Sequence, residues 1–183
     1  MGYAAFETSQ EGRVVLIHVL VSACLLGEKV RYNGAEASCL DPIISKWSDE
    51  RRIIPFCPEV ASGLGVPRPA AEIRGGDGDA VLNGAGRVVT IMGEDATDSF
   101  VRGARLTLEL VLRNNVRLAV LKDGSPSCGS AFTYDGSFTG TKRQGHGVTT
   151  ALLERSGIRV FNERQLDAAA RHLAALEGTM GGG

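Results

Sequence analysis

An α/β fold, a mostly parallel sheet with helices on both faces, is what this sequence predicts. Two observations carry the prediction. Apolar, β-branched runs too short for helices recur along the chain, and amphipathic stretches of helical period separate them. Strands that alternate with helices in this way build parallel sheets buried on both sides.

The first run, "RVVLIHVLVSA" (13–23), predicts a buried strand. A helix is expected over 38–49, followed by the strand "RIIPFC" (52–57). The longest helical pattern covers 95–115, with apolar residues at 100, 101, 104, 108, 111 and 112 on one face. "VRLAVLK" (116–122) is the third strand, "GVTTALLERSG" (147–157) a helix stopped by its glycine, and "IRVF" (158–161) the fourth strand. "NERQLDAAARHLAAL" (162–176) supplies the last helix. The result is a Rossmann-like three-layer arrangement. The 183 residues suit one domain with a single well-buried core, with 1–12 and 178–183 read as flexible tails.

Residues 61–94 interrupt this rhythm with glycine and proline. No strand leads into a GxGxxG pattern there, so a dinucleotide fingerprint is not supported. "DAVLNGAGRVVTI" (79–91) reads as a hairpin about "NGAG". The stretch is expected to pass over the strand ends. It would either aim Arg68 and Glu72 into a site, on the substrate side, or form a solvated loop with a structural ion pair.

Charge and composition exclude several function classes. A net charge of −1 leaves no electrostatic footprint for nucleic acid or an anionic membrane, and 5% aromatic content argues against a base-stacking platform. The run 14–26 is too short to span a bilayer. Although "VSAC" looks like a lipoprotein cleavage box, the segment before it carries Glu7 and Glu11 against Arg13, where a signal peptide needs a positive start. A cytoplasmic protein is expected. The sequence carries no indication of oligomeric state.

In a reducing compartment, scattered cysteines serve packing, metal binding or catalysis rather than disulfides. The four here are Cys24, Cys39, Cys57 and Cys128, with no CxxC pair to support a zinc ribbon. Three share a grammar, "SACLLG", "PFCPEV" and "SPSCGS", each at the downstream end of an apolar run. Ligands of parallel sheets bind beyond the carboxyl ends of the strands, so these three can converge although 33 and 71 positions separate them. Cys39, in "AEASCLDPI", reads as a small core residue at a helix start, with a role as fourth ligand the alternative.

"VSACLLGEKVRYNG", "FCPEVASGLGVPRPAAEI", "LKDGSPSCG", "YDGSFTGT" and "GHGVTTALLERSGIRVFNE" together resemble the DUF523 family, whose characterised representative is a thiouracil desulfurase. The resemblance covers roughly residues 15–163. It implies a [4Fe-4S] cluster on Cys24, Cys57 and Cys128, with one iron lacking a protein ligand, and catalytic side chains at Glu59 and Ser125. Asn33 stands in "RYNG" where an Asp is common, and the glycine-rich insert 75–86 is this chain's own.

The implied chemistry is non-redox desulfuration of a thiolated pyrimidine such as 2-thiouracil. The open iron takes the soft thiocarbonyl sulfur, and oxygen from water replaces it. Glu59 would be general base on that water, with Ser125 holding the water or relaying its proton. In protein handled in air the cluster can be absent, or replaced by zinc or a disulfide. Each residue also has a plainer reading: Cys as a buried hydrophobe, Glu59 as a helix cap, Ser125 as a turn former beside Pro126. "YDGSFTG" reads as a turn that packs the site. The rival functions are a non-catalytic iron–sulfur, zinc or redox-sensing module, and a hydrolase with Cys128 as nucleophile and His146 as base.

Overall fold

The computed structural model describes residues 16–180; the expected tail 1–12 and the last three residues lie outside the described residues. Chain order runs β1 (His18–Ser22), a one-turn 3-10 helix (Ala23–Leu26), α1 (Pro42–Asp49), β2 (Ile53–Phe56) and α2 (Pro58–Ala61). There follow β3 (Ala71–Arg74), α3 (Gly78–Leu82), β4 (Arg87–Thr90), α4 (Thr97–Arg113) and β5 (Val116–Leu121). The chain continues through β6 (Phe132–Tyr134), β7 (Lys142–Gln144), α5 (Val148–Arg155), β8 (Arg159–Asn162) and α6 (Leu166–Met180).

The four strands expected from the sequence form one parallel sheet of order β2-β1-β5-β8. Successive side chains of a strand point to opposite faces, and the core divides accordingly. Val19, Val21, Leu118 and Val120 pack with Ile44 and Trp47 of α1 and with Leu166, Ala169 and Leu173 of α6. Leu20, Ala119 and Leu121 face the other way, onto Val111 of α4 and Leu153 of α5. The three-layer α/β expectation is thus met, with continuous apolar strands because both faces are covered.

Boundaries shift where local chemistry decides them. α1 starts at Pro42 rather than at residue 38. Proline suits the first helical position and forces the residue before it to be extended. Asp41 is extended and accepts the N–H of Ile43 at 2.8 Å as the cap. Cys39 therefore precedes the helix instead of beginning it. At the other end, α6 continues to Met180, past the expected tail boundary at 178.

The hairpin expected at 79–91 is a correction. Asp77 accepts the N–H groups of Asp79 and Ala80 at 3.1 and 3.3 Å, capping α3. "DAVL" is therefore helical, with Val81 buried beneath it. β4 pairs antiparallel with β3 instead, Ala71 opposite Thr90 and Arg74 opposite Arg87. Ile73, Val81, Val88, Phe100, Ala104 and Val148 form a third apolar cluster under this excursion. Local capping and burial of Val81 outweigh the turn propensity of "NGAG". No helix among the described residues is long and apolar enough to cross a membrane.

Candidate active site

β2, β1 and β5 are adjacent and parallel, so their carboxyl ends share one rim. The chain leaves β1 toward β2 on one side and reaches β5 on the other, the switch-point geometry at which open α/β sheets bind ligands. Cys24 sits in the 3-10 turn after β1, and Cys57 is the residue between β2 and α2. Cys128 lies in the loop after β5. All three are free and line one cavity of about 520 Å³, together with Glu59, Ser125 and Arg68. Glu72 lines the same cavity, so all seven expected site residues border one space, although the Glu72 carboxylate is engaged by backbone N–H groups.

The loop 122–132 is held by buried polar contacts. One oxygen of Asp123 accepts the N–H groups of Ser130, Ala131 and Phe132 at 3.1, 3.1 and 3.4 Å, and Arg164 donates to the other. Glu163 accepts from Lys122 Nζ and from the Asp123 N–H, tying the loop after β8 to the loop after β5. The first turn of α5 docks on the same loop. Val148 and Thr149 donate to the carbonyls of Pro126 and Ser127, both at 2.9 Å, and Thr150 Oγ1 donates to that of Cys128 at 2.9 Å. Donors orphaned at the start of a helix thus anchor the cysteine loop. Gly147 is required by this approach, since a Cβ there would fall on the Ser127 carbonyl.

Ser125 Oγ accepts the N–H groups of Ser127 at 3.0 Å and Cys128 at 3.1 Å. With both lone pairs engaged, its proton is directed outward, and it donates to Oε1 of Glu59 at 3.3 Å. The turn-forming and site-facing readings of Ser125 are one arrangement. Glu59 stands in the first turn of α2, yet its carboxylate faces the cavity and pairs with Arg68. Arg68 and Glu72 do not pair with each other. Glu72 accepts the N–H groups of Gly136 and Phe138 at 2.9 and 3.0 Å, holding the 135–141 turn; Tyr134 before it and Gly140 within it line the cavity. "YDGSFTG" is a turn beside the cavity, with Glu72 as its anchor.

Burial pushes the Cys24 thiol up to about 11; Cys57 adds to the rise, and Arg31 and Lys122 oppose it. The Cys57 thiol is raised, chiefly by burial. Cys128 is lifted well above the ordinary thiol range by burial, then by Cys57, Glu59 and Cys24. Cys57 thus opposes ionisation of both Cys24 and Cys128, and Cys24 opposes that of Cys128. Such a donor set suits a positively charged, thiophilic core that lets all three ionise together. Among the described residues, no three His, Cys, Asp or Glu side chains are close enough to share one metal ion. Iron–sulfur clusters are held by cysteine thiolates, and three cysteines converge on this cavity. The residues present fit an iron–sulfur cluster.

His146 and Cys39 lie elsewhere. His146 does not line the cavity; its Nδ1 is 3.9 Å from Asp79, near Arg155. A Cys128–His146 catalytic pair is not assembled. Cys39 packs against the α1–α6 side of the core and lines a separate recess with Leu25 and Ile44, which removes it as a fourth ligand to the same group. Sequence reasoning missed Asp123, Lys122 and Arg31. Asp123 had a visible signal, an acidic residue placed directly after a buried strand and before "GSPSCG".

Comparisons with known proteins agree in family and fold. A family model described as 2-thiouracil desulfurase matches residues 19–165. The uncharacterized protein YbbK of Bacillus subtilis (strain 168) is 46% identical over 149 residues, spanning 81% of this chain and 97% of its own length. Among solved structures, a [4Fe-4S]-dependent thiouracil desulfidase, TudS (DUF523Vcz), superposes with a TM-score of 0.80 at 46% identity, covering 87% of this chain and 99% of that one.

Proposed function

This chain belongs to the 2-thiouracil desulfurase family, and from that premise we propose that it is an enzyme that cleaves the C–S bond of a thiolated pyrimidine with the aid of a [4Fe-4S] cluster held by Cys24, Cys57 and Cys128. The observation that carries the reading is the convergence of those three thiols, from the ends of three adjacent strands, on the cavity that also holds Glu59 and Ser125. Bound through three thiolates, the cluster would supply a soft Lewis acid at its remaining iron, suited to a thiocarbonyl sulfur.

The protein does the rest. Phe56, Leu64, Ala71 and Phe100 give the cavity an apolar lining that fits a flat heterocycle and displaces bulk water from it. Glu59 Oε1 faces the cavity as proton acceptor for a water directed at the ring carbon that bears sulfur. Ser125, its own lone pairs occupied by backbone N–H groups, spends its single proton on Oε1 of Glu59 and so orients the carboxylate. Water's oxygen bonds to carbon, the C–S bond breaks, and the sulfur departs with protons from the same water. The products are the oxo-pyrimidine and hydrogen sulfide, with no net electron transfer.

The test is anaerobic reconstitution, with measurement of iron and acid-labile sulfide per chain and then of uracil and sulfide from 2-thiouracil. About four iron and four sulfide per chain, with both products released, supports the reading. Failure to take up iron under these conditions sinks it, and full loading without turnover moves the substrate outside 2-thiouracil.

A further inference from the structure

We infer that Arg68 is a positioning residue: its guanidinium holds Oε2 of Glu59 and the backbone carbonyls of Val30 and Gly65, leaving Oε1 as the oxygen available to accept a proton. The inference rests on the reading of Glu59 as base. A guanidinium has five N–H donors in a rigid fork, and here five contacts use them. Nε and Nη2 donate to Oε2 of Glu59 at 2.9 and 2.6 Å. Nη1 and Nη2 donate to the carbonyl of Val30, each at 3.1 Å, and Nη1 also donates to that of Gly65 at 3.1 Å. No donor is left over for a substrate, although the side chain borders the cavity.

The clamp is asymmetric, and the asymmetry bears on the chemistry. Both charge-assisted bonds fall on Oε2, whereas Oε1 receives only the longer contact from Ser125. The carboxylate is therefore fixed in rotation, with its less engaged oxygen toward the reacting water. Arg68 is 8% exposed and Glu59 14%, so the pair sits largely out of solvent, where loss of one partner strands a charge. The Arg68 backbone N–H donates to the Tyr32 carbonyl at 2.8 Å, so the same residue also ties the cavity-lining segment 30–32 to Glu59. A lysine retains the charge at this position but has three donors and no planar fork, which makes Arg68→Lys the informative substitution.

The experiment compares Arg68→Lys and Arg68→Gln, each alone and combined with Glu59→Gln, as reconstituted enzyme and as metal-free full chain. For the positioning role, Arg68→Lys retains iron content and KM for 2-thiouracil while kcat falls roughly 10- to 100-fold, the order expected for a misplaced catalytic group. In the Glu59→Gln background the same change has no further effect on kcat. Melting of the metal-free chain gives a second readout: Arg68→Gln lowers the transition, and adding Glu59→Gln recovers part of the loss. A raised KM with unchanged kcat, or additive losses in the double variant, would overturn the inference and make Arg68 a substrate ligand. If Glu59→Gln alone leaves full turnover, the base assignment fails; the melting cycle still reports whether the two side chains are coupled.

Discussion

The Ser125 hydroxyl donates to Oε1 of Glu59 at 3.3 Å while accepting the N–H groups of Ser127 and Cys128, so one oxygen atom joins residues 66 positions apart to the loop that carries a cysteine of the site. In the proposed mechanism, proton handling and cysteine placement share a side chain, and substitutions at the two ends of this bond separate the two tasks.

Glu59→Gln removes the proposed proton acceptor while keeping an amide oxygen for the Ser125 hydroxyl. The expected outcome is full iron content with kcat lowered about 10²- to 10⁴-fold, the range for general base catalysis. Ser125→Ala lowers kcat as well, but it also strands two backbone N–H groups and is expected to bind less iron per chain. Iron analysis beside steady-state kinetics separates them; equal iron content in the two variants contradicts the double role of Ser125.

Cys24→Ser, Cys57→Ser and Cys128→Ser are each expected to lose the brown colour of the reconstituted protein, whereas Cys39→Ser keeps it. Alkylation of the loaded wild-type protein followed by peptide mass analysis should mark Cys39 and spare the other three. Protection of Cys39 on loading would place it at the cluster.

Loading should depend on pH. Burial holds the Cys24, Cys57 and Cys128 thiols above their usual range near about 8.5, so at neutral pH they carry protons that must leave before they bind iron. Raised pKa values place the proton-bound form on the unloaded side, so iron uptake is expected to increase from pH 7 to pH 8.5. Anaerobic titration with ferrous iron and sulfide at the two pH values checks the sign; uptake that falls with pH refutes it.

Asp123→Ala removes the acceptor of three backbone N–H groups from a carboxylate that is almost wholly enclosed. Each buried donor left unsatisfied costs about 1–3 kcal/mol, so urea unfolding of the metal-free chain is expected to shift by at least about 3 kcal/mol. Asp123→Asn, which keeps one carbonyl oxygen toward those donors, is expected to lose less. Identical midpoints for the two variants would show that the oxygen does not organise the loop.

The apolar strands of the core sheet were legible in the sequence because burial on both faces leaves a nearly continuous apolar run, as in "LAVL" (118–121). Helix starts were less so: Pro42 and Asp41 move the first helix four residues along, an effect of one cap and one ring. "NGAG" misled because a turn signal names a reversal without naming its partners. Residues 79–82 became helical under Asp77, and β4 found its partner in β3 instead.

By itself the sequence determined the alternation of strands and helices and the chemistry of the side chains at the strand ends, including Cys24, Cys57, Cys128, Glu59 and Ser125, since period and residue type are local properties. Only the tertiary structure decided that β2, β1 and β5 are neighbours, which brings those three thiols to one rim. It also decided that Arg68 serves Glu59 while Glu72 serves the backbone of 136–138. A charged side chain in a largely buried place pairs with whatever the packed elements bring within about 3 Å, and that proximity arises between segments whose spacing along the chain carries no trace of it.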